Sequence, residues 1–141
     1  MSSAEEQALP TYEDVVSAYE LIKGTVKRTP VHTSETFDAL SGRQLFFKCE
    51  LFQKGGAFKY RGATNACMRL PEGITSVVTH SSGNHAQALS LAARAKGIDA
   101  HIIMPSTSPA VKKVLFLFVR PELYTVQLTA KKAAVLNSVC P

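Results

Sequence analysis

The chain has 141 residues, of which 45% are hydrophobic, and a formal net charge of +5 with a pI near 9.2. Its length and composition are those of one ordinary globular domain. The positive charges are scattered and do not alternate with aromatic residues, so a nucleic-acid-binding surface is not expected. The longest uninterrupted apolar run, residues 114–119, is far shorter than the ~18 residues of a membrane span, so no membrane association is expected either.

The cysteines and the N-terminal residues indicate a cytoplasmic protein. Cys49, Cys67 and Cys140 are odd in number and form no CxxC pair, so neither a structural zinc site nor any other metal site is expected. Reduced thiols are typical of the cytoplasm. The N-terminus carries Glu5 and Glu6 and no apolar segment, so a secretory signal is not expected.

The first fifth of the chain predicts one helix after a disordered start. Residues 1–10 are polar and are expected to be disordered. Thr11 and Asp14 are spaced as a capping box, and the helix that follows is expected to end at Gly24. Its apolar residues recur at helical spacing. They are Tyr12, Val15, Val16, Tyr19 and Ile22.

The next segments alternate between strands and helices. Residues 28–31 are expected to be extended around Pro30. Residues 33–40 predict a short helix with Ser34 as its cap, and residues 44–50 predict a strand. The elements after these are a helix over 60–70, a strand over 74–79, a helix over 84–96 ended by Gly97, and a strand over 99–104 stopped by Pro105. This alternation predicts an α/β fold with a parallel sheet.

Two short segments contain the residues suited to chemistry. Residues 81–87, SSGNHAQ, form a small polar turn between a strand and a helix. Such a turn aims several backbone N–H groups at one point, in front of the helix dipole, and binds an anion such as a carboxylate. Upstream, Lys59 stands in the segment GGAFKYRGA at another helix start. An anion site and a lysine of this kind can hold an amino acid beside an amine that reacts with aldehydes.

Residues 47–63, FKCELFQKGGAFKYRGA, and residues 79–85, THSSGNH, carry a family resemblance. They resemble the pyridoxal-phosphate (PLP) enzymes of the tryptophan synthase β-like fold, which include serine racemase and threonine dehydratase. The resemblance runs from about residue 12 to residue 113, and two long motifs in the right order make it specific. It implies PLP as cofactor and a partial, incomplete three-layer parallel-sheet fold.

The resemblance also implies a division of the chain. Residues 11–74 correspond to the N-terminal part of the large PLP domain and residues 75–113 to the start of the small domain. Residues 114–141 are interpreted as a divergent tail, which indicates truncation after about residue 113. After Gly97 the chain contains no glycine. The family's Gly-rich phosphate loop, divalent-metal ligands and much of its dimer interface are therefore not expected here.

Individual roles follow from the resemblance. Lys59 is implied as the residue that binds PLP and moves a proton at the substrate α-carbon, with Phe58 beside the cofactor ring. We expect Lys59 to be partly buried, because burial favours the neutral amine that reacts with an aldehyde. Ser82 is implied as the base on the opposite face, since racemisation needs one group on each face. Ser82 is equally compatible with a helix cap.

The substrate and effector sites are implied in the same way. Asn84 is implied to contact the cofactor's ring hydroxyl, although it also suits a helix cap. The residues implied to hold the substrate carboxylate are Ser81, Ser82, Asn84 and His85. Those implied to contact ATP are Ser34, Lys54 and Gln87, which are otherwise three solvated polar side chains. Mg²⁺ is the family's other effector.

The resemblance implies a homodimeric racemase or ammonia-lyase that acts on serine or threonine. It would interconvert L- and D-serine, or convert serine to pyruvate and ammonia, with weak or no activity in this chain. The alternative is a non-catalytic truncated isoform or gene-model fragment that associates with a full-length subunit. A serine hydrolase that uses Ser81 or Ser82 is disfavoured, because the Gly-x-Ser-x-Gly elbow is absent.

Overall fold

The computed structural model describes residues 9–111 and the backbone of residues 122–126. Within these residues the helices are α1 (Tyr12–Ile22), α2 (Glu35–Ser41), α3 (Lys59–Met68) and α4 (Asn84–Lys96). The strands are β1 (Val31–His32), β2 (Phe47–Lys48), β3 (Ser76–His80), β4 (Asp99–Pro105) and β5 (Glu122–Val126). The predictions for residues 1–8 and for the apolar run 114–119 lie outside the described residues.

Helix α1 begins and ends next to the residues that the sequence indicated. The Thr11 hydroxyl accepts from the Asp14 amide at 3.2 Å, and the Asp14 carboxylate accepts from the Thr11 amide at 2.8 Å, which confirms the capping box. The last helical residue is Ile22 and the C-cap is Lys23, so Gly24 directly follows the cap. Ile22 is 6% exposed and packs towards α3, whereas Tyr12 at the other end is 76% exposed. The apolar face of α1 is therefore covered only near its C-terminal end by the described residues.

The strand predicted over residues 44–50 is much shorter. Only Phe47–Lys48 pairs with β1, in an antiparallel two-residue ladder. The Leu45 amide donates instead to the Asp38 carboxylate at 2.8 Å, and a 3₁₀ helix begins at Glu50. A side-chain acceptor thus replaces strand pairing at one end and a helical turn replaces it at the other. The cap at Ser34 is confirmed, since its hydroxyl accepts from the Phe37 amide.

The predicted parallel α/β arrangement is confirmed. Strand β4 lies between β3 and β5 and runs parallel to both, so β3, α4 and β4 form a βαβ unit. Ala86 of α4 and Ile102 and Met104 of β4 are completely buried against one another. Gly97 ends α4 at φ 78°, a left-handed conformation that glycine adopts without strain. Strand β5 lies within the segment interpreted as a divergent tail.

The main core lies between α3 and α4, which pack against each other along their length. Its buried members on these helices are Tyr60, Ala63, Cys67, Ala88, Leu89 and Ala92. Because half of these side chains are alanines, the two helix backbones can approach closely. This contact determines the relative positions of Lys59, at the start of α3, and the polar turn that precedes α4.

An ion pair attaches α3 to the segment before it. The Arg61 guanidinium donates twice to the Glu50 carboxylate, at 2.6 and 2.9 Å, and once to the Lys27 carbonyl at 3.1 Å. The Thr29 hydroxyl donates to the same carboxylate at 2.5 Å. The bonds from Arg61 lower the pKa of Glu50, burial opposes this, and the bond from Thr29 lowers the pKa further.

No helix among residues 9–111 is long and apolar enough to cross a membrane.

Because of the Glu50–Arg61 pair, we expect the free energy of unfolding to decrease in acid. Because the pKa of Glu50 is lower in the folded chain than its ordinary value of 4.5, the pair's contribution is fully present above about pH 4.5. It is lost as the pH falls through the folded-state pKa. We expect Arg61→Leu to lower the free energy of unfolding at pH 7 by about 2 kcal/mol and to flatten this acid dependence, as measured by urea unfolding between pH 3 and pH 7.

The Glu20–Lys23 pair supplies the control, since both side chains are more than half exposed. Glu20→Gln should change the unfolding free energy little. An Arg61→Leu variant that retained the wild-type acid dependence would contradict the role given to Glu50.

Candidate functional site

The polar turn lies at the carboxyl edge of the parallel sheet, where β3 ends at His80 and α4 begins. The Ser81 amide donates to the Ile103 carbonyl of β4 at 3.1 Å, and the Ser81 hydroxyl accepts from the Gly83 amide at 3.3 Å. The first backbone bond of α4 runs from Gln87 to the Gly83 carbonyl. The N–H groups of the three residues before Gln87 precede this bond and belong to the free amino end of the helix. This geometry suits an anion.

Lys59 begins α3, and its ammonium lies 5.2 Å from the centre of the Phe58 ring. Gly55 and Gly56 precede it at φ 73° and 68°, so this turn uses a left-handed conformation at both positions. A Cβ on Gly55 would lie 3.2 Å from the Leu91 side chain. The left-handed turn accounts for both glycines, and the close packing on α4 gives a second reason for a glycine at position 55.

A buried glutamine holds this turn in place. Gln53 is 3% exposed, and its side-chain oxygen accepts from the amides of Lys27 and Lys54, both at 3.0 Å. Its side-chain nitrogen donates to the Lys27 carbonyl at 2.9 Å. The segment that leads to Lys59 is thus tied to the chain after α1 through both polar atoms of one side chain.

One cleft joins the two predicted segments. It has a volume of about 280 Å³ and lies between α3 and α4. Its walls are formed by Phe58, Lys59, Gly62, Ala63, Ala66, His85 and Leu89. Lys59 and the start of α4 therefore share a cavity, which is the central requirement of the site that we inferred from the sequence.

The electrostatics of His85 depend on this arrangement. Partial withdrawal from water lowers the pKa of His85, and the nearby charges of Lys59 and then His80 lower it further. His85 is exposed by its surface area, so its withdrawal from water comes from contact with the cleft wall and not from full burial. At neutral pH its imidazole is neutral and has one donor and one acceptor.

The structure brings some of the predicted residues together and leaves others apart. Phe58, Lys59 and His85 line the cleft, whereas Ser81, Ser82 and Asn84 are not among the described residues that do so. Lys59 is exposed, so the expected partial burial is wrong for the part of the chain that the structure describes.

The residues assigned to a nucleotide have other contacts in this structure. The Ser34 hydroxyl caps α2, and the Lys54 ammonium lies 5.6 Å from the centre of the Tyr60 ring. The turn that contains Lys54 packs on α4, which carries Gln87. Residues 9–111 hold no group of three or more His, Cys, Asp or Glu side chains placed to bind a metal ion.

Sequence reasoning missed the floor of the cleft. Gly62 and Ala66 lie one helical turn apart on α3 and leave a flat surface next to Lys59. Their small side chains at helical spacing were a signal that could have been used. Gln53 offered no such signal, because a glutamine followed by a lysine is typical of exposed segments and does not indicate a buried side chain.

These residues fit PLP in the part of the site that they form. They provide an amine, an aromatic ring beside it, and a cleft floored by small side chains. The volume of the cleft lies near the lower limit of about 300 Å³ for small-molecule pockets. The donors at the start of α4 suit the carboxylate of an amino acid bound next to the cofactor.

Comparison with known proteins points the same way. Residues 22–134 match the family model described as pyridoxal-phosphate dependent enzyme. The chain is 53% identical over 107 residues to β-hydroxyaspartate dehydratase of Paracoccus denitrificans, which covers 74% of this chain and 34% of that protein. It is 55% identical over 100 residues to serine racemase of Arabidopsis thaliana, which covers 70% of this chain and 30% of that protein.

The structure of maize serine racemase is similar to this one with a TM-score of 0.81 and 42% identity, over 90% of this chain and 40% of that one. The chain thus spans about a third of the length of the curated relatives that it matches. The match to the family model continues beyond residue 113 into the segment that contains β5.

The shared cleft predicts an electrostatic link between Lys59 and His85. We expect Lys59→Met to raise the pKa of His85 towards its ordinary value of 6.5, because a repelling charge is removed. The pKa of His85 should remain below 6.5, since the cleft wall still excludes water. An NMR titration of the His85 ring protons measures this shift.

The matched control is Lys54→Met, which removes the same charge from the turn before α3. It should leave the pKa of His85 unchanged. If Lys59→Met and Lys54→Met have the same effect on His85, then Lys59 does not share the cleft with it.

Proposed function

This chain belongs to the pyridoxal-phosphate-dependent enzyme family, and we propose that its described residues form the part of an active site that holds the cofactor and an amino-acid substrate. The observation that carries the proposal is the single cleft shared by Lys59 and His85, beside the amino end of α4. No other function considered from the sequence needs an amine and an anion site in one cavity.

Lys59 holds the cofactor in this proposal. When bound, PLP withdraws electrons from the substrate α-carbon and so weakens the bonds to it. The amine of Lys59 would hold the cofactor and, as a free amine, would take or return the α-proton on its own face. Phe58 would lie beside the cofactor ring, and Asn84 would contact the ring hydroxyl.

The start of α4 holds the substrate. The amide groups and side chains there, from Ser81, Ser82, Asn84 and His85, bind the carboxylate, assisted by the helix dipole. Neutral His85 donates one hydrogen bond without adding charge. Ser82 acts on the face opposite Lys59, so that the two residues together can invert the α-carbon.

The substrate class is a small β-hydroxy amino acid, serine or threonine. Its support is the pair of relatives, one named a serine racemase and the other a β-hydroxyaspartate dehydratase. Both names denote amino acids with a β-hydroxyl group, which is lost in dehydration and kept in racemisation. The reaction is therefore racemisation, elimination to a keto acid and ammonia, or both.

Regulation follows the family only in part in this proposal. ATP is proposed as an effector, with Ser34, Lys54 and Gln87 as the nucleotide contacts, whereas the ligands for Mg²⁺, the family's other effector, are not expected in this chain. A cytoplasmic location is proposed, and the family's homodimer is not assigned to this chain because much of its interface is not expected here.

Covalent trapping tests the role of Lys59. The 141-residue chain is mixed with PLP, reduced with borohydride and digested, and the modified lysine is identified by mass spectrometry. We expect the label on Lys59, its loss in Lys59→Arg because a guanidinium does not form the adduct, and its retention in Lys54→Arg. A label spread evenly over the lysines of the chain would overturn the proposal.

Product analysis tests Ser82. The PLP-loaded chain is supplied with L-serine, and D-serine and pyruvate are both measured. Removal of a group that transfers a proton costs about 100-fold or more, so we expect Ser82→Ala to reduce D-serine formation by that factor and pyruvate formation by less. Equal losses of both products would contradict the two-face assignment. If Lys59 takes the label and neither product forms, the non-catalytic alternative is favoured.

A further inference from the structure

A second cavity of about 380 Å³ lies between the end of α1 and the first turn of α3. Its lining consists of Tyr19, Lys23, Val26, Lys27, Arg28, Lys48 and Arg61. None of the residues of the Lys59 cleft lines it, and neither do Ser34, Lys54 and Gln87. The function proposed above does not use it.

The positive side chains that line this cavity outnumber the carboxylates that pair with them. Five of the seven lining residues are lysine or arginine. Glu20 pairs with Lys23, and Glu50 pairs with Arg61 at 2.6 Å. Lys48 donates at 2.6 Å to the Thr29 carbonyl, which accepts a hydrogen bond without cancelling the charge.

Lys27 and Arg28 are the unneutralised members. Both are exposed, and within residues 9–111 neither side chain forms an ion pair or a hydrogen bond. Like charges held around one cavity repel each other, so an anion placed among them lowers the energy of all.

The backbone that carries these two residues is held firmly. The Lys27 amide donates to Gln53, and the Lys27 carbonyl accepts from both Gln53 and Arg61. Thr29 on the other side is 4% exposed and bonded to Glu50. The cations thus project from a fixed segment, which reduces the entropy lost when a ligand binds.

We propose that this cavity binds a small anion that carries a diphosphate group. Several positive charges suit a group with more than one negative charge, and arginine and lysine are the usual donors to phosphate oxygens. The volume of about 380 Å³ falls within the range of small-ligand pockets, which is roughly 300–1,000 Å³. Val26 forms a buried apolar part of the wall and Tyr19 an aromatic part.

Calorimetric titration of the 141-residue chain with inorganic pyrophosphate tests this proposal. We expect one saturable site in the wild type. The double variant Lys27→Gln/Arg28→Gln removes two donors and should weaken binding at least about tenfold, since charge-assisted hydrogen bonds of this kind are individually strong. Both side chains are exposed, and circular dichroism establishes that the variant is folded.

The matched control is Arg43→Gln/Arg94→Gln, which removes the same charge from exposed positions outside the cavity. It should leave the affinity within about twofold, as expected where only screened long-range charge changes. Equal weakening by the two double variants would show attraction to net charge alone and would overturn the proposal. So would a wild type that does not bind pyrophosphate, or a Lys27→Gln/Arg28→Gln variant with unchanged affinity.

A parallel titration with ADP identifies the source of the diphosphate. Tighter binding of ADP than of pyrophosphate that is weakened in Lys27→Gln/Arg28→Gln would assign this cavity to a nucleotide, and equal or weaker binding of ADP would assign it to a free diphosphate. The cavity is independent of Lys59, so Lys59→Arg should bind pyrophosphate like the wild type even if it no longer attaches PLP.

Discussion

The structure depends on the hydrogen bonds that Arg61 and Gln53 make across the chain. Arg61 lies in the first turn of α3, next to Lys59, and holds both Glu50 and the Lys27 carbonyl. Gln53 holds the Lys27 amide and carbonyl together with the Lys54 amide. Because Gln53 is buried and Glu50 is partly buried, breaking their bonds would leave polar groups unpaired away from water, which is costly. The entry to α3 is therefore held from two directions.

The packing of α3 against α4 then forms the cleft that contains Lys59. Small residues let α3 and α4 approach closely, and the contact brings Lys59 into the same cleft as His85. The parallel sheet places the turn before α4 at the carboxyl edge of its strands, where ligands of open α/β sheets bind. The lowered pKa of His85 reflects its partial withdrawal from water and, after that, the nearby charge of Lys59. The position of the Lys59 amine relative to His85 thus depends on how α3 packs against α4.

Several residues of the cleft and of α1 are exposed to solvent in the part of the chain that the structure describes. Lys59 and Phe58 are exposed in the cleft, and Val15 and Tyr19 are exposed on the apolar face of α1. These residues belong to a region that the chain shares with relatives about three times as long. Exposed apolar surface of this extent is uncommon in a monomer and usually marks a place of contact. The same exposure leaves the second cavity open, with its unpaired cations in water.

Features decided by near neighbours were predictable from the sequence. The capping box of Thr11, the cap at Ser34 and the left-handed Gly97 each depend on contacts within a few residues, and all three are present. The lysine and the polar turn were recognisable as motifs for the same reason. Gln53, the cleft floor at Gly62 and Ala66, and the cations around Lys27 were not, because each acquires its role from residues far away in the chain. A side chain's identity sets what it can bond to, and only the tertiary structure decides which distant partner lies within hydrogen-bonding distance.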